Sequence, residues 1–327
     1  MKKVSIILAI RNEERNIRKC LDSLVNQDFP HEKYEILIID GMSNDATREI
    51  ISKYSSKFSN LIRIFDNLKG TAGQGRNIGI RNSRGKTIYI MGGHSYADRS
   101  LLTKLTEELD QSSDDVAGVG SIHISPNDES FVGKIIASVQ KSPLGGFGTS
   151  FMPGMKKVQV KSLAFCLYKK EVLLKIGLHD ENFIVGQDFE LNFRIRKAGY
   201  KLLCLPEPLV YYYRRYDSLQ MFSKRMFNYG IARTLITKKH PNSFPVFLIL
   251  PVLLVLSTAS LPFLLLFSPT LAKVVAYGLV LYIAVVMANS LYVSILEKNP
   301  KYFISILFYL SEHFSYGAGV IAGILRK

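Results

Sequence analysis

The 327-residue sequence contains no tryptophan and only three cysteines, and its 27 acidic side chains are outnumbered by 42 lysines and arginines, a formal net charge of +15. Cys20, Cys166 and Cys204 stand far apart. That spacing excludes a disulfide framework or a paired-cysteine metal site, and the three read as reduced cytosolic thiols. The basic residues form no compact run, which argues against nucleic acid as a partner and favours anionic lipid and diphosphate-bearing ligands. A secretory leader is not expected. Lys2 and Lys3 precede only Val4 to Ile10, and Arg11-Asn12-Glu13-Glu14 follows without a small-residue cleavage site.

Charge is missing altogether from two stretches, 244–267 and 274–296, each meeting the ~20 residues needed to cross a bilayer. A third, 302–325, carries Glu312 and His313 near its middle, where ionisable groups normally face protein or water. Buried core helices are the alternative, but two long uncharged runs separated by a short turn favour membrane segments. Pro245, Pro251 and Pro262 suggest kinks or a re-entrant course in the first. Lys224, Arg225, Arg233, Lys238 and Lys239 precede that segment, and Lys298 and Lys301 follow the second. The positive-inside tendency puts both groups, and the N-terminal part, on the cytoplasmic side of the cell membrane. Arg326 and Lys327 would then lie outside if the third segment crosses; an interfacial or hairpin third segment removes that conflict. The expected division is a globular domain over 1–217, an amphipathic interfacial segment over 218–243 and a membrane domain over 244–327.

The N-terminal part reads as an α/β domain. Val4 to Ile10 is a short apolar strand, a helix follows from about Glu14 to Val25, and Tyr34 to Ile39 repeats the strand pattern. Further helix and strand signals cover Ala46 to Tyr54, Leu61 to Phe65 and Thr87 to Met91, with a glycine-rich loop from Lys69 to Gly75 and a helix beginning near Arg76. Ligands of such sheets bind beyond the carboxyl ends of the strands, so Arg11 to Glu13, Asp40 and Gly92 to His94 should converge.

Residues 186–200, Gly-Gln-Asp-Phe-Glu-Leu-Asn-Phe-Arg-Ile-Arg-Lys-Ala-Gly-Tyr, read as a helix with acidic groups in its first turn and a glycine at its C-terminal stop. Asp188 is the candidate general base, since a helix N-terminus favours a negative charge and a base needs the ionised form. An ordinary acidic cap gives the same pattern. Arg76, after a glycine-rich loop, suits a diphosphate, because guanidinium and helix amides both favour anions. A solvated surface arginine is its alternative.

Ordered along the chain, these motifs resemble membrane-associated family 2 glycosyltransferases of the GT-A fold, a Rossmann-like mixed sheet that binds nucleotide-diphospho-sugars. Ser5-Ile6-Ile7-Leu8-Ala9-Ile10-Arg11-Asn12-Glu13-Glu14 resembles the opening strand and nucleotide loop. Asp40-Gly41-Met42-Ser43-Asn44-Asp45-Ala46-Thr47 is similar to the second nucleotide motif in its succinoglycan-biosynthesis form. Gly75-Arg76-Asn77-Ile78-Gly79 resembles the donor loop, and Gln187-Asp188 takes the place of the Glu-Asp base motif. The resemblance covers residues 1–240 and implies a UDP-sugar donor, with Glu13 and Asp40 contacting uridine and Ala9 and Arg11 lining the same pocket.

One motif departs from the pattern. Where the family carries Asp-x-Asp for a divalent metal, this chain has Gly92-Gly93-His94. His94 can ligate Mn²⁺ or a similar ion, whereas hard Mg²⁺ generally prefers oxygen. Gly92 contributes no ligand, and Asp98 nearby is equally a helix cap. For the acceptor side, Phe131 to Ser150 reads as an interfacial helix followed by a loop over the cleft, and 219–236 as a basic amphipathic surface segment, with a strand edge and a packed helix as the equal alternative. Arg214, Arg215 and Arg225, with Gln187, are candidates for the diphosphate of a lipid-linked acceptor. The Gln-x-x-Arg-Trp motif of processive synthases is absent, which by resemblance favours single additions. The expected activity is an inverting transfer from UDP-sugar to a lipid-linked glycan in surface-glycan or exopolysaccharide synthesis. The alternatives are a nucleotide-sugar-binding scaffold with a degraded site and a polyprenyl-phosphate sugar synthase.

Overall fold

The computed structural model describes residues 2–145, 156–243 and 246–326. In chain order its principal elements begin β1 (Val4–Ile10), α1 (Ile17–Val25), β2 (Tyr34–Asp40), α2 (Thr47–Lys57), β3 (Ile62–Asp66), α3 (Ala72–Asn82), β4 (Thr87–Met91) and β5 (Ser95–Ala97). They continue with α4 (Leu101–Gln111), β6 (Val116–Ile124), α5 (Phe131–Lys141), β7 (Val158–Gln159), β8 (Cys166–Lys169), α6 (Lys170–Ile176), α7 (Gln187–Lys197) and β9 (Lys201–Tyr212). Four helices close the chain: α8 (Leu219–Lys239), α9 (Ile249–Phe267), α10 (Pro269–Leu296) and α11 (Ser305–Leu325). Two compact units result, one of 1–127 with 151–213 and one of 128–150 with 214–327. The second unit thus takes in α5, which the sequence division had left in the globular part. The loop expected after α5 falls mostly on residues 146–155, outside the described residues.

The first unit is built on a mixed nine-stranded sheet in the order β3-β2-β1-β4-β8-β6-β9-β5, with β7 added to β9. Its first half is parallel: Ile10 lies opposite Asp40, Asp40 opposite Asp66, and Leu8 opposite Met91. The four strands therefore end at one edge, and the residues that follow them share it. β1 and β2 are apolar because both faces are covered, as parallel strands require. On one face α1 contributes Ile17, Cys20, Leu21, Leu24 and Val25, the spacing of a single helical stripe. On the other, α3 lies flush on β1. A β-carbon on Gly79 would sit 2.5 Å from Ile7 Cγ2, and one on Gly75 would sit 2.9 Å from Ala9 Cβ. The glycines read as loop in the sequence are thus the packing face of a helix, which starts at the Thr71 cap rather than near Arg76.

The segment between α6 and α7 joins α3 to α7. Asn77 on α3 accepts from the His179 amide at 2.9 Å and donates to the His179 carbonyl at 2.8 Å. Arg194 on α7 pairs with the buried Glu190 and donates to the carbonyls of Ile176, Gly177 and Leu178. The His179 imidazole is enclosed between them, 4 % exposed, with neither ring nitrogen hydrogen-bonded among the described residues. Burial, and then the neighbouring Arg76 and Arg194, push its pKa well below the ordinary 6.5, so the ring is neutral.

In the second unit α8 packs along α11 at backbone distance. A β-carbon on Gly319 would fall 2.0 Å from the Phe227 carbonyl oxygen, and one on Gly230 would fall 2.3 Å from that of Tyr316. α8 is therefore packed along one side, with Phe222, Met226, Ile231 and Ile236 buried. Glu312 and His313 are buried as well, and His313 bridges the Leu144 carbonyl and the Tyr282 hydroxyl at 3.0 Å each. Among the described residues two helices, α9 and α10, are long and apolar enough to cross a membrane. Most of their side chains are uncovered in the unit, and a single residue, Ser268, separates them.

Two outcomes follow from this packing. Gly319→Ala should destabilise the second unit by about 1–3 kcal/mol through overpacking, whereas Gly278→Ala, at a site with nothing within 4 Å of the added carbon, should not. Thermal unfolding in detergent compares them. For His179, an unfolded chain takes up a proton below about pH 6.5 that the native ring refuses. Native stability should fall on acidification by up to about 1.4 kcal/mol per pH unit, and His179→Leu should flatten the slope between pH 6.5 and 5.5.

Candidate active site

The strand-end edge carries the residues singled out in the sequence. Asp40 closes β2 and is fully buried. Its carboxylate accepts from the Ser43 amide and hydroxyl, and Arg48 Nη1 lies 3.5 Å away, so the group also holds its own turn in shape. That turn is knitted to the loop after β1. The Asn12 amide donates to Ser43 Oγ at 2.9 Å, the Asn44 amide to Asn12 Oδ1 at 3.0 Å, and the Glu13 amide to Thr47 Oγ1 at 2.8 Å. Asn12 and Met42 adopt the left-handed backbone at φ 53° and 60°. Both loops are thereby fixed in one conformation before any ligand arrives, at a backbone cost of about 1–3 kcal/mol per residue.

Arg11 extends over the adjacent Gly70, where a β-carbon would meet its Nη1 at 2.8 Å. Ala9 faces the glycine side of α3. One residue at this edge escaped the sequence reading. Asn67 follows β3 as Gly41 follows β2; its amide donates to the Asp40 carbonyl, and its Nδ2 to the Thr71 carbonyl, each at 2.8 Å. Its Oδ1 is buried without a hydrogen-bond partner among the described residues, an acceptor suited to a donor on a bound base. The signal was available: the strand-end rule applies to β3 as well as to its neighbours.

Glu13 and His94 meet directly. Nδ1 of His94 lies 2.8 Å from Glu13 Oε1, with Glu13 itself 5 % exposed. The His94 ring also packs edge-on to Tyr212 at 5.0 Å between centroids. It lies against Gly92, whose β-carbon would stand 3.0 Å from Cε1 and 3.4 Å from both ring nitrogens. A side chain at position 92 would need the imidazole to shift by a few tenths of an ångström. Asp98 is committed elsewhere. Its Oδ2 accepts from the Leu209 amide at 2.9 Å.

No set of three or more His, Cys, Asp or Glu side chains is arranged to hold a metal among the described residues. What exists is one imidazole whose Nδ1 faces a buried carboxylate, leaving Nε2 as the remaining ring donor. That fits an ion sharing its coordination between one protein nitrogen and ligand oxygens, and it does not fit an all-protein cage.

Arg76 lies in the second turn of α3, and its Nη1 donates to Gln187 Oε1 at 3.1 Å and to Asp188 Oδ1 at 2.8 Å. Gln187 is buried, its Nε2 donating to the Phe183 carbonyl, whereas Asp188 is about one-third exposed. The structure thus brings Arg76, Gln187 and Asp188 together, and separately Glu13 with His94. Arg214, Arg215 and Arg225 belong to the second unit. There the Arg214 amide donates to Glu129 and its guanidinium to Gln140, and Arg225 lies over the rings of Tyr229 and Tyr216 while donating to the Tyr229 hydroxyl.

Residues 5–177 match the model for "Glycosyl transferase family 2". A dolichyl N-acetyl-α-D-glucosaminyl phosphate 3-β-D-2,3-diacetamido-2,3-dideoxy-β-D-glucuronosyltransferase of Methanococcus voltae is 36% identical over 244 residues, 72% of this chain and 74% of that protein. The succinoglycan biosynthesis protein ExoA of Rhizobium meliloti is 24% identical over 239 residues, 72% and 70% of the two chains. Among solved structures, the mannosyltransferase PcManGT of Pyrobaculum calidifontis, in complex with GDP-Man and Mn²⁺, is similar in fold with a TM-score of 0.65 at 15% identity, over 99% of this chain and 87% of that one. The chain belongs to glycosyl transferase family 2, as a glycosyltransferase of the GT-A fold with two long apolar helices near its C-terminus.

Proposed function

We propose that this glycosyltransferase moves a single sugar from a UDP-sugar to a hydroxyl of a lipid-linked glycan at the cytoplasmic face of the cell membrane, with inversion at the anomeric carbon. The observation that carries the reading is the 2.8 Å ion pair between Arg76 and Asp188. It joins the helix expected to face the donor diphosphate to the residue expected to act on the acceptor. In this account Asp188 Oδ accepts the acceptor proton as the oxygen attacks from the side opposite the leaving group. Arg76 moves its remaining N–H groups to the diphosphate as negative charge develops there. Gln187, buried and anchored to Phe183, fixes the first turn of α7 so that Asp188 starts from a defined position.

Uridine lies at the edge formed by Ala9, Arg11, Asp40 and Asn67, with Asn67 Oδ1 as an acceptor for the base N–H. A divalent cation bound through His94 Nε2 would neutralise diphosphate charge as UDP leaves. Two helices of membrane length support an acceptor held at a bilayer, as does a relative whose name specifies a dolichyl phosphate sugar. Their basic flanks at Lys238, Lys239, Lys298 and Lys301 support the cytoplasmic orientation and the multi-pass course. Arg215 and Arg225 remain the candidates for the acceptor diphosphate. Arg214, bonded to Glu129 and Gln140, is a poorer one. Surface-glycan or exopolysaccharide synthesis is the setting this reading implies.

Asp188→Asn should lower transfer by about 10²–10⁴-fold while UDP affinity stays within about threefold. Purified protein with UDP- and GDP-sugars and a membrane-lipid extract supplies the assay. Turnover of the variant at the wild-type rate would exclude Asp188 as the base. A sugar-phosphate lipid as product would identify a polyprenyl-phosphate synthase instead, and binding without turnover of any donor would identify a scaffold.

A further inference from the structure

Two loops beside the candidate site carry side chains that the fold leaves uncovered. Ile184 is 83 % exposed and Leu68 81 %, more than any other large apolar side chain described in the first unit and as much as Phe267 at the end of α9. Both are held in place by their neighbours. Phe183 and Val185 are buried on either side of Ile184, and Leu68 follows the buried Asn67, whose Nδ2 is bonded to the Thr71 carbonyl. The loops are also tied to each other. Lys69 Nζ lies 3.7 Å from Glu181 Oε2, Glu181 Oε1 accepts from Asn77 Nδ2 at 3.0 Å, and a β-carbon on Gly73 would stand 3.4 Å from Glu181 Cα. They therefore meet over the first turn of α3.

One exposed leucine is ordinary on a protein surface. Two aliphatic side chains held outward on tied loops, with cations beside them, have the composition of a membrane-contact surface. Lys69 and Arg11 are exposed at this edge, while the acids near them are engaged: Glu181 with Lys69, Asp66 with Arg48, and Asp180 with the Asn182 amide and side chain. Resting on the reading of a lipid-linked acceptor, we infer that Leu68 and Ile184 are bilayer anchors, which enter the headgroup boundary of an anionic membrane and seat the strand-end edge of the first unit on its surface. Chain continuity supplies the partner, since two helices of membrane length belong to the same chain. Two aliphatic side chains bind a bilayer weakly by themselves; the helices act as the tether and the pair sets the orientation. Ile184 stands four residues before Asp188. An anchor there holds the proposed base at the height where a membrane-held hydroxyl arrives.

The contact is measurable without turnover. Cys20, Cys166 and Cys204 are buried, so a fluorescent label reports a single introduced cysteine. The full chain would be placed in nanodiscs of phosphatidylcholine and phosphatidylglycerol. Spin-labelled lipid should quench labels on Leu68→Cys and Ile184→Cys about fivefold more than one on Lys86→Cys, which is exposed just before β4 at the opposite edge of the sheet. Hydrogen exchange of the unlabelled chain gives a second reading. Amides of 67–70 and 182–186 should exchange about fivefold more slowly in the discs than in detergent, and a Leu68→Ser, Ile184→Ser double variant should lose that difference. Equal quenching at the three positions would overturn the inference. So would protection of these amides that persists in detergent: a concentration-dependent mass would then identify a second copy as the occupant, and dependence on added UDP a loop that closes over the donor. Asp188→Asn should be quenched as the wild type is, and transfer to a soluble acceptor would refute the lipid-linked reading while leaving the quenching result standing.

Discussion

One ion pair organises the candidate site: the Arg76 guanidinium on the Asp188 carboxylate, 2.8 Å apart. With side chains 19 % and 32 % exposed it contributes little to stability, about 0–1 kcal/mol once screening and side-chain entropy are counted. Its importance is positional. α3 is set on β1 by a glycine face that no larger residue would allow, and α7 is tied to the preceding segment by the three carbonyls to which Arg194 donates, its guanidinium held by the buried Glu190. The two helices then meet through Arg76, Gln187 and Asp188. The proposed base and the proposed anion ligand, on separate helices, thereby keep a fixed separation, the precondition for positioning to lower a barrier.

The second region depends on a different substitution. The His94 ring lies against Gly92, 3.0–3.4 Å from where a β-carbon would stand. Buried Glu13 keeps the ring in place. The apolar helices α9 and α10 belong to a unit with its own polar fastening. Tyr309, His313 and Glu297 bond to Ser142, the Leu144 carbonyl and Ser138, holding α5 and the turn after it within that unit.

Much of this was legible in the sequence because short apolar strands carry their own boundaries. β1 and β4 match the residues expected, and β2 ends one residue later. The strand-end rule placed Glu13, Asp40 and His94 at one edge of the sheet, and the spacing of acids and glycines located α7. Glycine misled the reading at α3, since Gly73 and Gly75 look like loop in a sequence and act as helix-packing surface only when β1 and α7 are known. The same holds for Gly230 and Gly319, which bring a segment with basic residues into close packing along one side. Pairings such as β6 with β8 and β9 link distant residues that no local pattern reveals. The His179 imidazole was invisible for the same reason: nothing around it in sequence announces its burial near Arg76 and Arg194.

The central claim is that Arg76 and Asp188 act as one unit in transfer, and a double-mutant cycle on the turnover rate tests it most directly. Arg76→Gln, Asp188→Glu and the double variant would be compared at saturating donor and acceptor. Coupling through the ion pair predicts that the double variant is within about threefold of the slower single variant, a strongly non-additive result. Losses that multiply in full would show two independent residues and contradict the account.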